Sequence, residues 1–520
     1  MNIHTNLDHR KFAELRATIG DSIAAARIFS LVEEAGCETV VVDKAPDEGE
    51  YTAEREAFFK NVFSIDNEAQ PERWHFFSGA IQALVDISDR DERYLGYCDI
   101  RPTSGRSISG ALIDCRVFVK TNRDYLFLTC QRTFDVPFGD GCVLQVRAFP
   151  YMQQDGTVVR CAQAALASIA RFYDLQLNGP DFTKVGARIA TGARAIPSRG
   201  LDARQIGLGI AEMEREPVVY DYSLLGPEHK EFAHCEQIIY RYVASGIPVL
   251  IGIDAGSELH ALVVIGHTFT PDSWLAHTRT SYYNRPKTGW TYHCSTNWVE
   301  RFVVQDDNLG PYMLAPSDFF QYFACRLVLV PLPRGIFLLP EEAESFAGDF
   351  LCPGMHNICD TLDGFLGRHE QDGKTQNEDT KFWYGQFRDH VNRGDLVLRT
   401  RLRQSCEWKK DTAGYEAYQD FETIIERLPL PEQVLVVEIS WPNIFTHARM
   451  CCGEILIDPT CPIANSVPTL QQAWLWMHVP GVVLHRDARA GKIDISVLEG
   501  RDTVRKHHRI AKESAPCDPR

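Results

Sequence analysis

Apolar and polar positions alternate along the chain in patterns that separate three successive regions. In the first region, apolar residues at helical spacing in "RKFAELRATIGDSIAAARIFSLVEEAG" predict helices, and "ETVVVD" predicts a strand ahead of an acidic loop, "DKAPDEGEYTAERE". Runs of β-branched and aromatic residues between turn formers predict four more strands. These are "RYLGYCDIRPT", "ALIDCRVFVK", "DYLFLTCQRTF" and "CVLQVRAFPYM". We therefore expect a mixed α/β domain over residues 1–145, with strands that pack onto the next unit.

The second region, residues 146–334, changes from helical to strand periodicity. Helices are predicted at "CAQAALASIARFYD", "DARQIGLGIAEME" and "HKEFAHCEQIIYRYVASG", and strands at "IPVLIGID", "ELHALVVIGHTF", "RFVVQD" and "CRLVLVPLP". Helices that precede an antiparallel sheet indicate an α+β domain. An irregular, aromatic-rich insertion at 270–298 interrupts the strands, and an insertion of that length inside a compact unit is often a functional loop.

The third region begins after the Pro-rich segment "VPLPRG". An acidic helical pattern, a polar loop "HEQDGKTQNEDTK" and the strands "EQVLVVEIS" and "GEILIDPT" predict a C-terminal α+β domain over residues 335–500. Residues 501–520 predict a basic, flexible tail. The overall expectation is an α+β protein in which a central domain is flanked by two mixed α/β domains.

Composition limits the class of protein. A chain of 520 residues with 44% hydrophobic residues is long enough for roughly three globular domains. Its formal net charge of -16 argues against a nucleic acid partner. The sequence has no run of eighteen apolar residues and no apolar stretch behind its N-terminal charges, so we expect a cytoplasmic protein without a membrane partner. Its 16 cysteines are scattered, which is typical of free, buried thiols.

One of these cysteines lies where a thiol becomes reactive. Cys161 opens an Ala-rich helical pattern in which Leu166, Ile169 and Phe172 recur at helical spacing and anchor one face. A helix N-terminus presents unpaired N–H groups and the positive end of the helix dipole, and both stabilise a thiolate. Cys161 is therefore the candidate nucleophile.

A nucleophilic thiol needs a base and a group that orients the base. His260 leads the apolar strand "HALVVIGH", and its pKa range suits proton transfer. Asp306, Asp307 and Asn308 follow the strand "RFVVQ", and Asp306 follows it most directly. Asp307 remains an alternative orienter.

A side-chain amide upstream of the cysteine would complete an oxyanion site. Gln154 or Gln153 could supply it, and Gln154 is the first choice.

The order Gln, Cys, His, Asp resembles the papain-like cysteine peptidases, in particular the bacterial branch that includes the double-glycine peptidases of peptide exporters. The resemblance covers roughly residues 146 to 330. It implies a papain-like central domain, built from a helical lobe and an antiparallel sheet, that cleaves a peptide or protein substrate. By motif, Cys161 would be the nucleophile, His260 the base, Asp306 its orienter and Gln154 the oxyanion donor. The resemblance implies no cofactor.

Two positions depart from the family pattern. The family places its Gln six residues before the Cys, where this chain has Asp155, and it commonly has Gly after the Cys, where this chain has Ala162. The same set of residues would also serve a deamidase or an acyltransferase. A third hypothesis is a papain-like binding or regulatory module without turnover. The size of the flanking domains suggests a regulatory partner protein.

Other residues with reactive side chains have structural interpretations. His267 is expected to pack in the core. Cys352, His356 and Cys359 in "CPGMHNIC" offer too few ligands for a zinc site, and "HARMCC" is a weaker candidate still. The serines of "GRSISG" are interpreted as part of a turn. We therefore expect no metal site.

Overall fold

The computed structural model of the protein describes most of the chain in ranges separated by gaps. The described residues are 1–20, 22–46, 50–62, 70–103, 106–119, 126–139, 141–189, 196, 198–223, 235–254, 256, 259–270, 289–322, 325–353, 358–371, 378–413, 425–448, 450–461, 473–486, 493–497 and 505–506. Within these ranges the protein is a mixed α+β structure with mainly antiparallel sheets, which confirms the coarse fold class predicted above. None of the helices in these ranges has both the length and the apolar character to cross a lipid bilayer.

The N-terminal region contains a sheet covered by helices. Its elements are β1 (Asn2–His4), α1 (His9–Ala17), α2 (Ile23–Glu34), β2 (Cys37–Lys44), α3 (Glu50–Ala57), β3 (Glu72–Ser78), β4 (Tyr94–Ile100), β5 (Ile108–Ile113), α4 (Cys115–Val119), β6 (Leu126–Phe127), β7 (Arg132–Phe138) and β8 (Cys142–Ala148). Strands β1 to β5 pair in sequence order, and β7 pairs with β8 in a separate hairpin. Helix α2 packs on the sheet, where the ring of Phe29 meets the ring of Phe76 edge-on.

The central region follows the predicted order of helices before strands. Its elements are α5 (Cys161–Phe172), α6 (Gly179–Ala187), α7 (Ala203–Glu212), β9 (Glu216–Asp221), α8 (Cys235–Ala244), β10 (Val249–Asp254), β11 (Leu259–Phe269), β12 (His293–Cys294), β13 (Val299–Asp306), β14 (Gly310–Pro316), α9 (Phe319–Tyr322) and β15 (Cys325–Leu332). The strands form an antiparallel sheet in the order β14-β13-β11-β10-β15-β9, to which β6 adds by pairing with β11.

The third region contains another sheet and its own helices. Its elements are α10 (Pro340–Leu351), α11 (Ile358–Gln371), α12 (Glu378–Arg393), β16 (Val397–Gln404), α13 (Ser405–Ala413), β17 (Gln433–Ser440), α14 (Pro442–Ala448), β18 (Met450–Cys451), β19 (Gly453–Ile457), β20 (Trp474–Val479), β21 (Val482–Arg486), β22 (Ile493–Val497) and β23 (Arg505–Lys506). The sheet order is β12-β16-β17-β19-β20-β21-β22, and β18 pairs with β23. The predicted flexible tail lies outside the described residues except for β23.

Both faces of the central sheet are buried. Leu250 and Val263 belong to a hydrophobic cluster that includes α5 and the N-terminal helices. Their strand neighbours, Ile251 and Val264, belong to a second cluster that includes α8 and the third region. This alternation follows from the two-residue period of a strand and explains why β10 and β11 are almost continuously apolar. Because β6 and β12 pair across the three regions, the domain boundaries at 145 and 334 remain predictions.

Some predicted element types were wrong. The acidic loop contains α3, in which Tyr51 and Glu54 are buried. The run "ALIDCRVFVK" is not one strand, because β5 ends before Asp114, whose carboxylate accepts the N–H of Arg116 at 2.8 Å and starts the turn into α4. The run "DYLFLTCQRTF" is divided between β6 and β7. The second half of "GRSISG" belongs to strand β5 and not to a turn.

The polar loop "HEQDGKTQNEDTK" is also shorter than predicted. Helix α11 runs into its first residues and α12 begins within its second half, while residues 372–377 lie outside the described ranges. The elements that were not predicted include β3, α6, β9 and β14. In β9 most positions are exposed or half-buried, and β14 contains glycine and proline, so neither has a clear apolar alternation.

A buried ion pair links α3 to the residue that follows β4. Arg101 Nε donates to Glu54 Oε2 at 2.6 Å, and neither side chain is exposed to solvent. The Glu54→Gln variant leaves the Arg101 charge buried without its carboxylate partner, so we expect the free energy of unfolding to fall by about 3–5 kcal/mol. Urea unfolding of the full chain measures this change.

The same helix supplies a matched control for this stability prediction. Glu56 forms an ion pair with Lys60 at the surface, where both side chains are about half exposed. Surface ion pairs contribute little to stability, so Glu56→Gln should leave the unfolding midpoint nearly unchanged. Equal midpoints for the Glu54 and Glu56 variants would contradict a stabilising role for the buried pair.

Candidate active site

The thiol of Cys161 lies at the first residue of α5. The preceding turn is fixed by Asp155, whose carboxylate accepts the backbone N–H groups of residues 157–159 at 2.6 to 2.8 Å. Nearly all of α5 after Cys161 is buried, whereas Cys161 itself is partly exposed. The thiol therefore lies at the accessible tip of a rigid helix.

The N-terminus of α5 has no side-chain cap. Its N-cap residue, Arg160, makes no capping hydrogen bond, and Arg160 Nε donates instead to the carbonyl of Ser198 at 3.2 Å. The first N–H groups of a helix have no acceptor within the helix, and the dipole adds partial positive charge there. The N–H groups around Cys161 are thus suited to stabilise a developing oxyanion.

Sheet register brings the histidine and the aspartate together. In the antiparallel pairing of β11 with β13, Leu262 lies opposite Asp306. His260 precedes Leu262 by two residues, and Asp306 is the last residue of β13. The start of β11 therefore lies beside the end of β13, so His260 and Asp306 lie at the same end of these two strands.

The imidazole of His260 lies near both the thiol and a carboxylate. Its Nε2 lies 3.2 Å from Asp306 Oδ1, and the Cys161 side chain is near enough to the ring to raise the pKa of His260. Since Nε2 faces Asp306, Nδ1 is the ring nitrogen left for the sulfur. Burial alone would lower the pKa of His260, but the hydrogen bonds to Asp306 and Cys161 and the two aspartate charges raise the pKa to about 10. The ring is therefore positively charged at neutral pH.

Asp306 is fixed from both sides. Its Oδ1 accepts the backbone N–H groups of Asn308 at 2.8 Å and Leu309 at 3.1 Å, in addition to its contact with His260. Burial would raise the pKa of Asp306, but these hydrogen bonds and the imidazolium charge hold the pKa below its usual range. Asp306 is accordingly a carboxylate at neutral pH and is held in one orientation.

Asp307 lies beside the same imidazole in a different environment. Its Oδ1 is 3.6 Å from His260 Nε2, yet neither carboxyl oxygen has a hydrogen-bond partner in the described part of the chain. Burial raises the pKa of Asp307 to about 7, with the His260 charge opposing the shift and the Asp306 charge adding to it. The geometry thus favours Asp306 over Asp307 as the orienter, and it leaves Asp307 without a role in that arrangement.

The two candidate glutamines point to different partners. Gln154 Nε2 donates to Asn308 Oδ1 at 2.8 Å, so its amide lies against the loop that follows Asp306. Gln153 Oε1 accepts from Ser22 Oγ at 3.1 Å and from the N–H of Ile108 at 2.9 Å. The amide of Gln153 is therefore directed towards the N-terminal region.

The N-terminal region contacts the segment before Cys161 and the strand after Asp307, a contribution that sequence reasoning missed. Tyr151 forms a β-bridge with Ala111, and its hydroxyl donates to the carbonyl of Asp307 at 3.2 Å. Arg27 Nη2 donates to the carbonyl of Tyr312 at 3.0 Å. These contacts join backbone groups across distant segments, and residue spacing carries no signal for them.

The remaining reactive residues do not join this site. His267 is fully buried and stacks on Phe127 at a centroid distance of 5.3 Å, as expected for a core residue. In the segment "CPGMHNIC", which offers too few ligands for zinc, His356 lies outside the described residues. In "HARMCC", Cys451 and Cys452 are buried. Among the described residues, one group of three or more possible ligands converges: His260, Asp306 and Asp307.

Comparison of the chain with known proteins gives weak similarity to a solved structure. The chain matches no protein-family model and no curated protein. Among solved structures, it is similar to the crystal structure of a "putative C39-like peptidase" from Bacillus anthracis, at 12% identity and a TM-score of 0.23, over 40% of this chain and 98% of that one. A similarity this low does not assign the chain to that class of protein.

Proposed function

We propose that this chain is a papain-like cysteine peptidase that hydrolyses a peptide or protein amide bond through a Cys161 thioester. The observation that supports the proposal is the position of the His260 imidazole, whose Nε2 lies 3.2 Å from Asp306 Oδ1 and whose pKa is raised by the nearby Cys161 side chain. The catalytic unit in this proposal is the region of residues 146–334. The proposal does not rest on the structural comparison.

The chemistry follows from the charges at the site. A cationic imidazole beside a cysteine favours the thiolate, which is the nucleophile. The sulfur attacks the amide carbonyl carbon, and the C–N bond breaks as His260 gives its Nδ1 proton to the leaving amine. Neutral His260 then removes a proton from water, whose oxygen attacks the thioester carbon. The C–S bond breaks, so the acid leaves and the Cys161 thiolate is restored beside the imidazolium. Asp306 keeps the ring oriented and stabilises its charge in both steps.

The oxyanion donors in this proposal are the N–H groups at the α5 N-terminus and the amide of Gln154. An amide nitrogen carries two hydrogens, so the Gln154 bond to Asn308 leaves one for the substrate oxygen. The Asp155 turn holds the segment between Gln154 and Cys161. This arrangement would accommodate the extra residue in the spacing between the Gln and the Cys.

Gln154→Ala should lower kcat by about 10²-fold with little change in KM, because an oxyanion donor acts mainly on the transition state. Steady-state hydrolysis of a peptide that the wild-type protein cleaves measures the effect. Gln153→Ala is the matched control, because its side chain bonds to Ser22 and Ile108, and its effect should stay below about tenfold. A larger loss for Gln153 than for Gln154 would overturn the assignment.

Proteome-wide cleavage profiling tests the proposed reaction. A denatured cell proteome is incubated with wild-type protein or with Cys161→Ala, and new peptide N-termini are labelled and identified. New N-termini that appear with wild type alone would support the peptidase. Ammonia release without new N-termini would indicate deamidation by the same residues. The absence of both, together with an unchanged biological output of the Cys161→Ala variant, would favour a binding module.

A further inference from the structure

Three possible metal ligands converge at the inner side of the candidate active site. The side chains of His260, Asp306 and Asp307 each offer one donor atom, and all three atoms lie within 4.8 Å of one another. His260 Nε2 is 3.2 Å from Asp306 Oδ1 and 3.6 Å from Asp307 Oδ1. The thiol of Cys161 is not one of these donors.

Asp307 shows a separate sign that a partner is missing. Its side chain is 5% exposed, and neither carboxyl oxygen accepts a hydrogen bond from a described residue. Buried carboxyl groups are almost always hydrogen-bonded, because an unpaired one loses its hydration without compensation. The proposed catalytic steps do not use Asp307, so they do not explain it.

The charges at this position do not balance when both carboxyl groups are ionised. Two carboxylates face one imidazolium, which leaves one excess negative charge when Asp307 is ionised. A divalent cation in place of the Nε2 proton would face two carboxylates and a neutral imidazole, and the buried group would be neutral. Low net charge is what burial favours.

The distances fit a small transition-metal ion. Tetrahedral ligands at about 2.1 Å from a zinc ion lie about 3.4 Å from one another. The two distances from His260 Nε2 are close to that value. One imidazole and two carboxylates form a ligand set that suits Zn²⁺, with water in the fourth position, whereas Ca²⁺ requires six or more oxygens.

We infer that His260, Asp306 and Asp307 form a regulatory site for a divalent transition-metal ion of the Zn²⁺ class. The binding itself is independent of the proposed function, but its consequence rests on it. A cation on Nε2 removes the hydrogen bond between His260 and Asp306 and lowers the basicity of Nδ1, so the bound ion inhibits hydrolysis. Removal of the ion by a chelator restores activity.

Cobalt(II) binding to the Cys161→Ala protein tests the site without any activity measurement. Co²⁺ reports its ligands through visible absorption, and the variant excludes the candidate nucleophile as a ligand. We expect saturation at one equivalent, without a thiolate charge-transfer band, and displacement by Zn²⁺. Asp307→Asn in the same background should weaken the Co²⁺ affinity by at least about tenfold, because it removes a ligand.

Two further variants keep the test decisive. His260→Gln removes another ligand, so it should lose the same Co²⁺ binding. Circular dichroism shows whether either variant is misfolded. If Asp307→Asn alone is misfolded, His260→Gln still tests the site. Asp254→Asn is the matched control, because Asp254 is a partly exposed aspartate on β10 that pairs with Arg326. Equal Co²⁺ affinity in all variants, thiolate bands, or no saturable binding would overturn the site.

Failure of this inference can be told apart from failure of the proposed function. Normal hydrolysis without Co²⁺ binding would remove the metal site alone. Stoichiometric Co²⁺ binding in a protein without hydrolase activity would keep the metal site and remove the peptidase. In an active wild-type protein, Zn²⁺ should inhibit hydrolysis at lower concentrations than in Asp307→Asn.

Discussion

Replacement of Cys161 by alanine is expected to lower kcat for amide hydrolysis by about 10⁴- to 10⁶-fold, because the remaining groups act as a unit with the nucleophile and cannot form a thioester. Steady-state hydrolysis of a peptide from the cleavage profile measures the loss. Acid quenching of the wild-type reaction should trap an acyl adduct on Cys161, which mass spectrometry identifies. The alanine variant should form no adduct.

The chain offers a matched control for this prediction in Cys406. Cys406 is exposed on α13, whereas Cys161 is only partly exposed. If exposure alone governed reactivity, iodoacetamide at neutral pH would label Cys406 first. We expect Cys161 to be labelled faster, because the imidazolium of His260 lies close to it. Slower labelling of Cys161 than Cys406, or equal hydrolysis by Cys161→Ala and Cys406→Ala, would refute the nucleophile.

The elements that carry the candidate site could be predicted from local sequence. The Ala-rich pattern after Cys161 has a helical period, and the run after His260 has the β-branched composition of a buried strand. These patterns locate the start of α5 and of β11 because each depends on residues close in the chain. The antiparallel order of the central strands then makes it reasonable that His260 and Asp306 meet.

The rest of the site depends on contacts between distant segments. The spacing of Gln153 and Gln154 before the cysteine did not show which amide faces the Asp306 loop, because Ser22 and Ile108 from the N-terminal region decide the orientation of Gln153. Asp307 follows Asp306 directly, and its lack of hydrogen-bond partners appears only once the surrounding packing is known. The hydrogen bond from Arg27 to the carbonyl of Tyr312 in β14 has no local signal at all.

The acidic segment that forms α3 also shows that contacts between distant residues cannot be predicted from local sequence. Here the missing information led to a prediction of exposure where a residue is buried. The charges of the segment predict a solvated loop, but Glu54 is buried because Arg101 on the neighbouring sheet neutralises it. A charged residue is a sign of exposure only when no partner of opposite charge is buried with it. The partner is 47 residues away along the chain, so composition could not reveal the pair.

Asp306→Asn is expected to lower kcat by about 10³- to 10⁴-fold, because a neutral amide cannot stabilise the imidazolium and can hold the ring in the wrong tautomer. Asp307→Asn is the isosteric control. Asp307 Oδ1 lies 3.6 Å from the imidazole and makes no hydrogen bond to it, so its loss should cost less than about tenfold in kcat. A greater loss for Asp307→Asn would make Asp307 the orienter.

The pH dependence gives an independent readout of the same pair. The hydrogen bond to Asp306 and the Asp306 charge both raise the pKa of His260, which is about 10 in the wild type. Removing the carboxylate favours the neutral ring, so the pKa of His260 must fall, and the imidazolium is lost at lower pH. Proton transfer from Nδ1 to the leaving amine needs the imidazolium, so the alkaline limb of kcat/KM for peptide hydrolysis should move from near pH 10 to a lower pH in Asp306→Asn. An alkaline limb that stays in place while kcat falls would show that Asp306 does not act through His260.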